Sequence, residues 1–111
     1  MKCILFIWAL AAVYAFGADQ ATLQKGEKVY AYWCTPCHGP GLPGTVALGA
    51  KYKGAKPALL VDRTDLIPPV TKTFVRKGVS VMPPFRKTEI SDADLDALAA
   101  YLARNNKVAK R

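Results

Sequence analysis

The run WCTPCHGPG, Trp33 to Gly41, places Cys34 and Cys37 three positions apart and puts His38 directly after the second thiol. His38 is the chain's one histidine, and the third cysteine, Cys3, lies near the start. Three chemistries use these letters. A dithiol pair exchanges electrons through a disulfide and sits between a strand and a helix in a βαβ frame. A structural zinc site uses thiolates and imidazole but needs four ligands. A C-x-x-C-H segment can instead carry a c-type haem. Two cysteines on one tight helical turn then reach the two vinyl groups, and the following imidazole lies under the iron.

The surroundings weigh against the first two. A helical pattern precedes the motif and a glycine-rich stretch follows it, with no period-two strand signal beside it. Apart from Cys3, no further Cys or His is present to complete a zinc tetrahedron. An iron held by His38 asks for a second axial group. Met82, the one methionine besides Met1, stands in Val81-Met82-Pro83-Pro84-Phe85, a proline-stiffened loop where core filler is not expected. A thioether opposite imidazole raises the reduction potential and suits electron transfer.

The elements that must position these groups read as helices separated by Gly/Pro loops. One helix is expected from about Thr22 to Trp33, with Val29, Tyr30 and Trp33 inward and Gly26 where another helix could come close. Gly39 to Gly54 reads as a turn-rich loop. A short helix is expected over Ala58 to Asp62. Another begins near Pro69 and ends at Gly78, with Phe74 and Val75 inward and Lys72, Arg76 and Lys77 outward. The last runs from Asp92 to about Asn105, capped by Ser91, with Ile90 and Leu95 as its hydrophobic staple and Leu95, Leu98, Ala99 and Leu102 as its apolar stripe. The tail from Lys107 to Arg111 is expected to fray.

At the start, Lys2 is followed by an apolar run to Ala18, with Ala15 and Gly17 at the small positions of a cleavage site. This reads as an export leader over 1–17, and Cys3 would leave with it. The run is short for a membrane span, so no stable insertion is expected after cleavage. Residues 18–111 then form one small domain, a size that commonly needs a staple such as a cofactor. Export also implies an oxidising compartment, the periplasm, where a bare thiol pair would close.

Gly26-x-x-Val29-Tyr30-x-x-x-Cys34-x-x-Cys37-His38, then Met82-Pro83-x-Phe85, then a terminal helix ending Ala100-Tyr101-Leu102, together resemble the class I cytochromes c over nearly the whole exported part. The resemblance implies an all-α fold wrapped around one haem attached through Cys34 and Cys37, with His38 and Met82 as axial ligands. Its first and last helices would cross at Gly26 and Tyr101. In that family a proline carbonyl after the haem motif accepts a bond from the histidine. Here Val46 stands in its place, and Pro40 and Pro43 are nearer candidates. The short interval to Met82 and the run Arg76-Lys77-Gly78-x-x-x-Met82-Pro83-x-Phe85 further resemble the cytochrome subunits of flavocytochromes that oxidise alkylphenols, of the p-cresol methylhydroxylase and eugenol hydroxylase type.

The implied function is one-electron transfer, not catalysis. The implied partner is a redox protein, a flavoprotein dehydrogenase with an acidic docking face. A freely diffusing carrier is the alternative. The formal net charge is +8, and Lys72, Arg76, Lys77, Arg86 and Lys87 flank Met82 in sequence. Such charge steers acidic partners, and nucleic acid is not met by an exported haem protein. Val79, Val81, Pro84 and Phe85 would be either an apolar docking patch or the wall of the pocket. A haem enzyme with an open iron is disfavoured by Met82 and by the lack of a second histidine.

Overall fold

The computed structural model describes residues 18–108. The expected leader over 1–17, with Cys3, and the last three residues of the tail lie outside the described residues. The chain runs α1 (Gln20–Val29), a π-helical turn (Tyr30–Cys34), α2 (Thr35–His38), α3 (Pro43–Tyr52), a 3-10 turn (Leu60–Asp62), α4 (Pro68–Lys77) and α5 (Asp92–Ala103). Among the described residues there is no strand, only an isolated bridge between Val79 and Met82. The fold is all-α.

Helix α1 begins two residues before Thr22 because Asp19 caps it, its Oδ1 accepting from Thr22 N–H at 2.7 Å. The helical run then continues to His38 through a widened turn, so the single helix expected to end at Trp33 is replaced by three joined pieces. Pro36 explains the interruption. It has no N–H to give Tyr32, and its ring would crowd that carbonyl in a regular helix. Thr35 N–H instead reaches back five residues to the Tyr30 carbonyl, and its hydroxyl donates to the same oxygen at 3.3 Å. Widened turns of this type recur at functional sites, and this one carries Cys34.

The core is where α1 crosses α5. Gly26 is buried, and an added Cβ would collide with the Ala97 carbonyl and come within 2.6 Å of Tyr101 Cβ. The glycine is therefore what lets the two backbones touch. Tyr30 and Tyr101 stack beside the crossing with ring centroids 5.9 Å apart. Helix α5 is as its sequence dictates: Ser91 Oγ accepts from Asp94 N–H at 3.1 Å, and Leu95, Leu98, Ala99 and Leu102 are buried. Ile90, the staple residue, is fully buried. The end of α5 is tied down more than expected. Arg104 Nη2 and Asn105 Nδ2 both donate to the Val61 carbonyl, at 3.1 and 3.0 Å, and Asn106 Nδ2 donates to Leu66 at 3.1 Å.

Two regions differ from expectation. Gly39 to Gly54 is not a loop throughout but holds α3, started by Pro43 at its first position and closed by Lys53 at φ 49° and Gly54 at φ 82°. Its glycines lower helix propensity, and tertiary contact outweighs that cost. The helix expected over Ala58 to Asp62 shrinks to the 3-10 turn Leu60–Asp62. Helix α4 follows the expected pattern, with Pro68 at its first position and Gly78 at its end. Val75 is buried, and Phe74, though 45% exposed, lines an internal cavity beside it, so both face inward as expected.

Candidate functional site

A cavity of about 190 Å³ opens between α2, α3, α4 and α5. Cys34, His38 and Met82 all line it, together with apolar residues that include Leu98 and Leu102. Three of the four residues singled out from the sequence thus share one space. Cys37 is exposed and lies outside the cavity wall.

The His38 side is built from consecutive residues. Tyr30 Oη donates to the His38 carbonyl at 3.3 Å, Gly39 N–H caps α2 by donating to Thr35 at 2.8 Å, and Thr45 Oγ1 donates to the Gly39 carbonyl at 2.8 Å. These bonds fold α3 back over the motif. Gly44 then lies against the imidazole edge, where an added Cβ would sit 3.1 Å from both Cε1 and Nδ1 and 2.8 Å from the Cys37 carbonyl. Nδ1 is buried and has no hydrogen-bond partner. The expected carbonyl support from Val46, Pro40 or Pro43 is therefore not made. The reason is α3 itself: it commits the Pro43 and Val46 backbone to a helix, and leaves the Val46 side chain 59% exposed.

Burial pushes the His38 imidazole below its ordinary pKa, which keeps it neutral, as a metal-ligating nitrogen must be. Burial likewise, with a smaller push from Cys37, raises the Cys34 thiol to about 12. The two thiols of one motif thus occupy different environments.

The Met82 side is a loop held from outside. Val79 N–H donates to the Met82 carbonyl at 3.1 Å and Met82 N–H returns to Val79 at 2.9 Å. The reversal needs Ser80 at φ 54° and Gly78 at φ 69°, ψ 174°, a region essentially reserved for glycine. An added Cβ at Gly78 would also meet the Met82 carbonyl at 2.5 Å. Beyond Met82, Phe85 N–H donates to Val75 at 2.8 Å, and the Phe85 ring packs edge-on to Trp33 at 5.8 Å. Phe85 thus packs on the core side of the loop and does not line the cavity, whereas Val79 does, and Val81 is 96% exposed at the loop tip.

One cavity residue escaped the sequence reading. Arg63 is only 5% exposed and lines the cavity. Its Nε and Nη2 make a bidentate pair with Asp65 at 2.6 and 2.8 Å, and its guanidinium stacks on Tyr52 at 4.8 Å. That pairing holds the Asp65 carboxyl far below the usual range. The signal was present as an arginine amid Leu59-Leu60-Val61 and Leu66-Ile67, a place where a lone charge must be paired.

The basic residues flanking Met82 are mostly engaged. Lys72 pairs with Asp96 at 2.5 Å, Arg76 with Asp92 at 2.8 Å, Lys87 with Asp92 at 3.0 Å and Arg86 with Glu89 at 2.8 Å.

The donor set fits a c-type haem. A neutral imidazole with an unpartnered nitrogen and a thioether share an apolar cavity, with one thiol inside and its partner at the rim. A buried guanidinium suits a carboxylate-bearing macrocycle. Among the described residues no group of three or more His, Cys, Asp or Glu could hold a metal ion, so the zinc alternative gains nothing. No described helix is long and apolar enough to cross a membrane.

A family model described as "Cytochrome C oxidase, cbb3-type, subunit III" matches residues 21–102. No curated protein and no solved structure matches the chain.

Proposed function

The chain belongs to the cytochrome c family of cbb3-type oxidase subunit III domains, whose members carry covalently bound c-type haem and transfer electrons through it, and from that premise we propose a one-electron carrier with a His38/Met82 axial pair. Cys34 and Cys37 hold the haem covalently. His38 and Met82 would hold the iron, and Arg63, stacked on Tyr52 in the cavity wall, would offer its positive charge to a carboxylate of the bound group. The observation that carries this reading is that Met82, though distant in sequence from Cys34 and His38, lines the same apolar cavity as they do.

The haem supplies a one-electron couple. The chain's residues set its terms. His38 stays neutral through burial. Met82 favours the reduced state. The apolar wall excludes water, which limits reorganisation around the changing charge.

The finer proposal is a cytochrome subunit in the periplasm that takes electrons singly from a flavin-dependent alkylphenol hydroxylase. Its support is the Arg76-to-Phe85 sequence pattern together with the exposed Val79 and Val81 beside Met82. The alternative is a diffusing carrier serving another dehydrogenase or a terminal oxidase. Reductive titration of the haem-loaded protein should consume one electron per chain. Stoichiometric co-purification with a flavoprotein encoded beside it supports the subunit reading. Isolation as a lone haem protein that exchanges electrons with unrelated donors at equal rates refutes that reading and favours the diffusing carrier.

A further inference from the structure

Arg76 does not behave as a docking charge. Its Nη1 donates to two backbone carbonyls, Phe85 at 3.2 Å and Ile90 at 2.8 Å, and its Nη2 donates to Asp92 Oδ1 at 2.8 Å. The side chain is only 23% exposed. One guanidinium therefore joins three parts of the chain: the end of α4, the irregular segment after Met82, and the first turn of α5. That segment is anchored at its ends by Phe85 on Trp33 and by the buried Ile90, and has few backbone bonds of its own. Its internal backbone bonds are Glu89 and Ile90 N–H to the Arg86 carbonyl, and Phe85 N–H reaches α4. Asp92 is itself shared with Lys87 from the same segment, at 3.0 Å.

We propose that Arg76 is the positioning residue of Met82, a latch whose fork keeps the Met82 loop closed over the cavity and so keeps the thioether on the iron. The inference rests on Met82 being the ligand. The geometry explains why an arginine is needed. A guanidinium presents several donors in a rigid plane, so it can serve two carbonyls and a carboxylate at once. A lysine keeps the charge but is a point donor on a flexible stem. Removing the fork leaves the Phe85 and Ile90 carbonyls without this partner and frees the loop to open. An external ligand that binds only the open form then gains apparent affinity in proportion to the open fraction.

The test is imidazole binding to the oxidised, haem-loaded protein, followed by loss of the long-wavelength methionine–iron charge-transfer band. In Arg76→Ala the apparent Kd for imidazole should fall about tenfold relative to wild type. Arg76→Lys should show most of that change although its charge is intact, which separates the latch from a through-space effect on the iron. Met82→Ala, with no ligand to displace and no such band, sets the upper limit when its imidazole binding is followed in the Soret region. Asp92→Asn, which spares both carbonyl bonds, should shift the value less than Arg76→Ala. If Arg76→Ala does not fold, Arg76→Lys decides alone. A wild type that shows the band while both Arg76 variants bind imidazole within twofold of it overturns the latch and leaves the axial pair standing. A wild type without the band overturns both.

Discussion

His38 stands at the end of a helical run and takes its place from bonds among near neighbours, Tyr30 to His38 and Thr45 to Gly39. Met82 stands in an irregular loop and takes its place from residues on two other helices, Val75 and Arg76 on α4 and Asp92 on α5. The histidine side is local and stiff, with an imidazole nitrogen left unpartnered. The methionine side depends on contacts that exist only when α4 and α5 are docked. A ligand held in the second way can leave the iron without unfolding the domain, whereas His38 cannot move without disturbing α2 and α3.

The largest expected contrast lies inside the motif. In the chain before haem attachment, the Cys34 thiol at about 12 offers about a thousandfold less thiolate than an ordinary thiol. Cys37 is exposed. Alkylation at neutral pH followed by peptide mapping should label Cys37 well before Cys34, and equal rates would show that the Cys34 environment is open.

The two glycines that sit against the ligands separate the two sides. Gly78→Ala puts a side chain into a glycine-only backbone region and against the Met82 carbonyl, so it should cost about 3 kcal/mol and abolish methionine ligation. Gly44→Ala keeps an ordinary helical φ but meets the Cys37 carbonyl at 2.8 Å and the His38 ring at 3.1 Å, so α3 must shift slightly. It should cost about 1–2 kcal/mol and leave the methionine band in place. Denaturant unfolding with visible spectra checks both, and the reverse order would break the contrast.

Acid should act on the methionine side first. The Asp92 carboxyl is lowered by Lys87 and then Arg76, and the Glu89 carboxyl by Arg86. Both groups stabilise the fold above their ordinary values, 3.8 and 4.5. That stabilisation is lost as pH falls through their lower folded values. Asp65, held down by Arg63, protonates last and keeps the cavity wall paired longest. The effect is small because Asp92 and Glu89 are solvent-screened. An acid titration should show the methionine band fading at higher pH than the loss of helix, and simultaneous loss would contradict this order.

The sequence made α5 readable because cap, staple and stripe are all local to it. Cys34, Cys37 and His38 were readable for the same reason, and Met82 because it has no rival. Helix α3 was hidden by Gly44 and Gly49, neither of which reverses the chain: Gly44 lies against His38 and Gly49 faces Ala58. Arg76 was misjudged because its partners Phe85, Ile90 and Asp92 lie nine, fourteen and sixteen positions away, and Arg63 was missed although Asp65 is two positions away, because its burial against the cavity comes from distant elements. Charge along a sequence does not reveal which carbonyls a guanidinium will meet.

The central claim is that His38 and Met82 bind one iron across this cavity. Comparison of the visible and near-infrared spectra of the haem-loaded wild type and Met82→Ala tests it most directly. The account predicts a six-coordinate low-spin wild type whose methionine–iron charge-transfer band is absent from the variant. A high-spin wild type, or a band that survives in Met82→Ala, would contradict it.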